Sequence, residues 1–296
     1  MTQSGAQAFH EPAGRRYFFD YTTLCKLRKE GLTVAQVGDE RARELIRKAG
    51  KLINRVTNSW FIPIESTERV SVRTAGGCPI IHLDNMVPIL EVRSLQVDNA
   101  GGLETEVGFT NVGPAITDIP SSSFRINDRF IRIIANHEEN IGGYLFTKSS
   151  KFSTGYRHII VKGTFGHVER RVFSDTGEIK YSTTTTTAVN NDDTIISVND
   201  ASGFKERDVI ILRSGAAGTT FGCHAIIIEI NGTDLTVDPI VITPGQTLPS
   251  GSTVITYGQV PEEVEEACVR IVYKNRFGLA SSKSEQSALR SRLIGE

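Results

Sequence analysis

The most regular pattern in the chain is a stripe of apolar residues at helical spacing between positions 39 and 60. Its members are Ala42, Leu45, Ile46, Ala49, Leu52, Ile53, Val56 and Trp60. Basic side chains fill most of the other positions, so the pattern predicts an amphipathic helix over 39–58, capped by Asp39. A shorter helix is predicted before it, with Asp20 as the N-cap and Gly31 as the stop signal.

After Pro63 the pattern changes to a period of two, which is typical of β-strands. Strands are predicted around 70–72, 80–81, 89–97, 129–135 and 158–162. The five consecutive threonines at 183–187 favour a linker or an edge strand, because β-branched residues prefer extended backbone.

The segment from 194 to 257 consists of short apolar runs separated by turn residues. Asn231-Gly232 lies between two such runs and predicts a two-residue hairpin with a type I′ turn. Five or six short strands in about 70 residues indicate a small β-barrel or sandwich.

Helical spacing returns near the end of the chain, after Pro261. Val264, Ala267, Cys268, Ile271 and Val272 form one apolar face, and Gly278 marks the end of the predicted helix. We expect this helix and helix 39–58 to close one body across the β-rich segment between them.

These elements predict an α+β fold, namely a helical-bundle core with β-strands that carries an inserted small all-β barrel or sandwich domain. The predicted division is a flexible N-terminal arm over 1–19, a core over 20–171 and 259–278, an inserted β domain over 172–258, and a C-terminal tail over 279–296.

The overall charge is nearly balanced, with 33 Lys and Arg against 34 Asp and Glu among 296 residues. This balance argues against a generic nucleic-acid binder, which is normally basic. Charge is nevertheless uneven: residues 1–60 hold 11 basic and 6 acidic side chains, and residues 172–258 hold 4 and 10. We expect neither a signal peptide nor a membrane span, since no long apolar run occurs.

No motif for chemistry emerges from the sequence. The four cysteines and six histidines show neither C-x-x-C nor H-x-x-x-H spacing. The glycines between 215 and 222 lack the Gly-Lys-Ser/Thr of a phosphate loop. We therefore expect no enzyme, no catalytic residue, no metal and no cofactor.

Four segments, taken in order, resemble the head–tail connector (adaptor) proteins of tailed bacteriophages. The segments are LINRVTNSWF at 52–61, LDNMVPILEV at 83–92, YRHIIVKGTFG at 156–166 and VPEEVEEA at 260–267. The segment over 172–258 interrupts this pattern. It is similar to short β modules of phage structural proteins through TIISV at 194–198 and Gly203-Phe204 before Asp208-Val209-Ile210.

The resemblance implies a homo-oligomeric ring, commonly of twelve copies, in the neck of the virion. Such a ring docks beneath the portal protein, meets tail or stopper proteins, and passes genome DNA through its lumen without sequence-specific binding or a membrane. It implies synthesis in the host cytoplasm.

Within that hypothesis, the apolar residues Leu289, Leu293 and Ile294 on the polar tail are candidates for portal docking. Arg43, Arg47, Lys51 and Arg55 are candidates for a basic face toward the DNA lumen or a neighbouring subunit. A basic helical region of one copy could meet the acidic β unit of the next.

An alternative function is a carbohydrate- or receptor-binding β module of a virion or surface protein. This alternative predicts aromatic residues on the surface of the β unit, where Phe204, Phe221 and Tyr257 are available.

Overall fold

The structure is a computed structural model, and it consists mostly of antiparallel β-sheet. It describes residues 20–70, 72–75, 78–82, 88–98, 116–118, 124–127, 130–133, 140–141, 144–145, 159–170, 172–173, 178, 180–214, 222–242 and 247–275. The predicted helical-bundle core is wrong, because the described residues form only three short helices among many strands. Among the described residues, more of the buried apolar side chains lie on strands than on helices.

The chain divides into two compact units, one made of Met1–Pro63 with His167–Glu296 and the other of Ile64–Gly166. The first unit holds every described helix and the β-rich segment near the C-terminus. The predicted domain bounds, including an inserted domain over 172–258, stay a prediction.

The three helices are α1 (Leu24–Lys29), α2 (Asp39–Thr57) and α3 (Glu262–Asn275). The N-cap of α1 is Thr23 rather than the predicted Asp20, and its hydroxyl accepts a hydrogen bond from the Lys26 amide at 3.1 Å. Helix α2 begins at Asp39, so its N-cap is Gly38 rather than the predicted Asp39, and Asn58 ends it in the left-handed conformation.

Helix α3 packs against α2, although more than 200 residues separate them in the chain. The Cys268 thiol on α3 lies 3.9 Å from the Ile46 carbonyl on α2, and both residues are buried. At the end of α2, the buried Tyr21 hydroxyl donates to Asn54 and accepts from the Phe61 amide at 3.2 Å. The expected packing of these two helices in one body is therefore observed, whereas the predicted extent of that body is not tested by it.

The first unit also contains a seven-stranded sheet in the order β11–β17–β14–β15–β16–β13, with β12 also paired to β17. Its strands are β11 (Glu169–Arg170), β12 (Tyr181–Thr184), β13 (Ile195–Ser197), β14 (Asp208–Arg213), β15 (Gly222–Asn231), β16 (Asp234–Val237) and β17 (Thr253–Gln259).

Backbone hydrogen bonds close this sheet into a barrel. The Thr186 amide donates to the Ser197 carbonyl and the Asn199 amide donates to the Thr184 carbonyl, each at 2.9 Å. The end of β12 is thereby joined to the end of β13, and Thr185 also bridges to Val198. The threonine run is thus paired on both sides, so it is neither a linker nor an edge strand.

The hairpin between β15 and β16 is present, but its turn lies one residue later than predicted. Asn231 pairs with Asp234, so Gly232 and Thr233 are the central residues. Only Gly232 among these has a positive φ, of 61°. A glycine at the first central position is typical of a type II′ turn rather than type I′.

The second unit contains three antiparallel sheets in its described part, with the orders β1–β10–β4–β5, β2–β3–β7–β6 and β8–β9. The strands are β1 (Ile64–Val70), β2 (Val72–Ala75), β3 (Cys78–His82), β4 (Ile89–Asp98), β5 (Ile116–Asp118), β6 (Phe124–Asn127), β7 (Phe130–Ile133), β8 (Asn140–Ile141), β9 (Tyr144–Leu145) and β10 (Ile159–Phe165).

Candidate functional site

The structure divides the four basic residues predicted to form one face of α2 into two pairs. Arg43 and Arg47 are half-buried, whereas Lys51 and Arg55 are exposed. The difference follows from helix geometry. A step of four residues is longer than one turn, so residues at this spacing lie progressively further around the helix axis. A single continuous basic face over Arg43, Arg47, Lys51 and Arg55 is therefore not formed.

A different face of α2 is exposed, and its residues recur along the helix at steps of three and four positions. It consists of Arg41, Glu44, Lys48, Lys51 and Arg55. Glu44 lies between two cations: it pairs with Arg41, and its Oε1 is 2.7 Å from the Lys48 ammonium. Their hydrogen bonds, Lys48 first, lower the pKa of Glu44. Glu44 thus offsets part of the positive charge of Arg41 and Lys48. We call these five residues the outer face of α2.

The half-buried arginines lie near two carboxylates. The Oδ2 of Asp20 is 3.9 Å from Nε of Arg47, and its Oδ1 is enclosed and accepts no hydrogen bond from the described residues. Burial raises the pKa of Asp20 to about 7; Asp238 also raises it, while Arg47 and Arg43 lower it.

Asp238 is the residue directly after β16, and it connects the barrel to α1. Its Oδ2 accepts a hydrogen bond of 2.7 Å from the amide of Leu24, the first residue of α1. Burial is also the main cause that raises the pKa of Asp238, and the Leu24 amide and Arg43 lower it. We call Asp20, Asp238, Arg43 and Arg47 the carboxylate–arginine cluster.

Glu265 on α3 makes a second ionic connection between the helices and the barrel. Its side chain is only 6% exposed, and its Oε2 lies 3.1 Å from the Lys26 ammonium and 2.7 Å from Nη2 of Arg207. Lys26 belongs to α1, and Arg207 directly precedes β14 of the barrel. One buried carboxylate thus holds three elements together.

These contacts change the interpretation of the uneven charge along the chain. Arg43 of α2 interacts electrostatically with acidic Asp238 of the barrel inside one subunit. Part of the charge complementarity that we expected between neighbouring copies therefore operates within each chain.

Sequence reasoning missed Asp20, Asp238 and Glu265 as members of ionic clusters. Glu265 did carry a signal, because it lies on the same side of α3 as Val269 and Val272, which are buried. Asp20 and Asp238 carried none, since 217 positions intervene between them and only the fold brings them together.

The cysteines of the first unit are free thiols rather than disulfide partners among the described residues. Burial raises the pKa of Cys223 to about 12 and also raises that of Cys268, so both are far from the thiolate form. In the described ranges, no group of three or more His, Cys, Asp or Glu side chains could hold a metal ion. No helix there is long and apolar enough to cross a membrane.

The remaining candidate residues have different outcomes. Leu289, Leu293 and Ile294 lie outside the described residues, as does Phe221. The two other aromatic residues named for glycan recognition are buried, Phe204 at 5% exposure and Tyr257 at 0%. Neither of these two rings is available on the surface of the barrel.

In comparisons with known proteins, no protein-family model matches the chain and no curated protein matches it.

Proposed function

We propose that the chain is a structural virion protein, a head–tail connector that assembles into a homo-oligomeric ring between the portal and the tail. In this proposal the ring passes genome DNA and performs no reaction. The partners are further copies of the chain, the portal protein and tail or stopper proteins.

The observation that supports this proposal is the spatial pairing of the helices and strands on which the four segments of the resemblance lie. The first and the last segment form the ends of α2 and α3, which pack together in one unit. In the other unit, the second and third segments include β4 and β10, which pair as antiparallel neighbours. The Gly166 amide also donates to the Pro88 carbonyl at 2.9 Å. The four segments thus lie on elements that pack or pair with one another two by two.

The turn after α2 ties the first segment to the chain after β10. The His167 amide donates to the Trp60 carbonyl at 2.7 Å, and Trp60 is 1% exposed. The aromatic turn of the first segment is therefore part of the core rather than an exposed motif, which agrees with a structural role for this segment.

The outer face of α2 is the proposed contact surface with a neighbouring subunit or with DNA. A ring of identical subunits needs a heterologous interface, in which one surface meets a different surface of the next copy. Lys51 and Arg55 are the exposed residues of the original candidates, whereas Arg43 and Arg47 take part in the carboxylate–arginine cluster.

Electron microscopy of the purified full chain, alone and with portal protein, tests the proposal directly. Annular particles, or monomers that become annular on the portal, support it. A chain that stays monomeric in the presence of portal, tail and stopper proteins contradicts it.

Truncation after Phe277 tests the C-terminal tail that holds Leu289, Leu293 and Ile294. We expect the truncated chain to fold and to lose at least tenfold of its affinity for the portal, because the apolar anchors are removed. The measurement is a binding titration with purified portal, with circular dichroism as the check on folding. Undiminished affinity would refute the docking role of the tail.

Charge reversal at Lys51 and Arg55 tests the outer face of α2. We expect Lys51→Glu with Arg55→Glu to shift the assembly equilibrium toward monomers by tenfold or more, since like charges at an interface are unfavourable. Analytical ultracentrifugation measures the shift. The matched control is Lys274→Glu with Arg270→Glu, two exposed basic residues of α3. Equal effects of both pairs would mean that the outer face of α2 has no specific part in assembly.

A further inference from the structure

We infer that the outer surface of the barrel strands β13, β16 and β15 binds the outer face of α2 of the next copy of the chain. We call this surface the acidic barrel face, and it consists of Ile195, Ser197, Glu229, Asp234 and Thr236. The inference rests on the proposed function and deepens it, since it names the second of the two surfaces that a head-to-tail ring needs.

The strand register places these residues on one side of the sheet. Thr236 of β16 pairs with Ile195 of β13 on one side and with Glu229 of β15 on the other, and directly paired residues point to the same face. The sequence neighbours Ile196 and Leu235 are buried in the core of the barrel. Because side chains alternate along a strand, the row of Ile195, Thr236 and Glu229 points away from that core.

The acidic barrel face combines an exposed apolar side chain with negative charge. Ile195 is 55% exposed, and Glu229 in the same row is also exposed. In the next row, Asp234 is half-buried and its Oδ1 accepts a hydrogen bond of 2.6 Å from the Ser197 hydroxyl. An apolar centre with a polar rim is typical of protein–protein interfaces.

No basic side chain of these strands offsets the two carboxylates. The sequence has no lysine or arginine at 181–204 or at 214–259, and these two stretches contain β13, β15 and β16. The barrel thus presents a surface of a single sign, which favours a partner surface of positive charge.

The outer face of α2 has the opposite charge. It carries four basic side chains and one acidic side chain, Glu44. Both surfaces are exposed within one subunit, so neither of them covers the other. Each surface is therefore available to its counterpart on another copy. A contact between two different surfaces of identical subunits is heterologous, and it produces a ring when the rotation between copies closes.

The test is a charge swap across the proposed contact in the full chain. Ile195→Lys with Glu229→Lys adds one positive charge and reverses one negative charge. We expect this variant to shift the assembly equilibrium toward monomers by tenfold or more, since like charges then face each other. Its combination with Lys51→Glu and Arg55→Glu should restore most of the assembly, because the two surfaces regain opposite charges. Analytical ultracentrifugation, alone and with portal protein, measures assembly, and circular dichroism checks folding.

Ser182→Lys with Glu206→Lys is the matched control. It makes the same change of charge at two exposed barrel residues outside the acidic barrel face, and it should assemble like the wild type. Ile195→Thr with Glu229→Gln replaces the lysine variant if the latter does not fold. Threonine keeps a β-branched side chain in the strand, and we expect this milder variant to weaken assembly about threefold.

The outcomes separate this inference from the proposed function. If the wild type assembles and the barrel variants assemble equally well, the inference is overturned and the proposed function stands. Equal loss in the Ser182→Lys, Glu206→Lys control also overturns it. So does a combined variant that regains nothing when each pair of substitutions weakens assembly, because the two surfaces then have different partners. A wild-type chain that stays monomeric with all its proposed partners contradicts the proposed function and this inference together.

Discussion

Gly258→Ala is expected to lower the free energy of unfolding of the barrel-containing unit by about 3 kcal/mol or more. Gly258 lies in β17 opposite Arg170 of β11, with a φ of 137° that side chains rarely adopt. A Cβ at this position would stand 2.1 Å from the Glu169 carbonyl oxygen and 3.0 Å from its carbon. These are backbone atoms of a paired strand, so the clash cannot be relieved by rotating a side chain.

Gly251→Ala is the control for Gly258→Ala. It measures the cost of placing a side chain at a positive φ without the steric clash that a Cβ makes at Gly258. Gly251 also has a positive φ, of 82°, but nothing lies within 4 Å of a Cβ there. Its substitution should therefore cost only the conformational energy, about 1–2 kcal/mol. Urea denaturation monitored by circular dichroism measures both variants. Equal destabilisation by the two substitutions would show that the approach of β11 to Gly258 is unimportant.

Removal of both cations around Glu265 is expected to destabilise the same unit by about 3–5 kcal/mol. In the variant Lys26→Met with Arg207→Met, the carboxylate of Glu265 keeps its burial but loses both of its ionic partners. Methionine has a similar length and keeps most of the apolar packing of the two stems. The loss should therefore come mainly from the uncompensated charge.

Two further variants test whether the unpaired carboxylate of Glu265 causes this loss of stability. Adding Glu265→Leu to the double variant should restore most of the lost stability, because a fully apolar replacement leaves no unpaired buried charge. Glu266→Gln with Arg270→Gln removes an exposed pair of α3 and should change the free energy of unfolding by less than about 0.5 kcal/mol. Denaturant midpoints measure all of these variants. If the triple variant is no more stable than the double one, the unpaired carboxylate is not the cause.

The parts of the fold that could be predicted are those with strong local signals. Helix α2 lies within one residue of its predicted bounds, because its apolar stripe and its limits at Asp39 and Asn58 are all local. The helix after Pro261 and the hairpin at Gly232 were also predicted, although the turn is shifted by one residue. The expectation that α2 and α3 belong to one body came from the order of the elements, because a β-rich segment is bracketed by the two helices.

The errors arose where the structure depends on distant contacts. The helical-bundle core was an extrapolation from the clearest periodicity, but the many short strands between the helices set the fold class. The threonine run has the same local sequence whether it is a linker or a paired strand. Only its pairing with Ser197 and Asn199, at the end of the neighbouring strand β13, decides between them.

The candidate site shows the same limit. Periodicity indicated that α2 has basic residues around the apolar stripe, but it could not indicate which of them meet other elements. Arg43 and Arg47 approach carboxylates from two distant segments, whereas Arg41 and Lys48 remain on the exposed side with Glu44. Assigning these roles requires the positions of Asp20 and Asp238.

The packing of α2 against α3 has a consequence for synthesis on the ribosome. Helix α2 ends at Thr57 and α3 begins at Glu262, so roughly 200 residues are translated before the partner helix exists. At a translation rate of about 5–20 residues per second, about 10–40 s pass before α3 is available to pack against the apolar side of α2. During that interval a nascent chain is open to chaperones and to its neighbours on the same messenger RNA. A chain whose translation stalls before residue 262 lacks α3, so the apolar stripe of α2 stays without this partner until the chain is degraded.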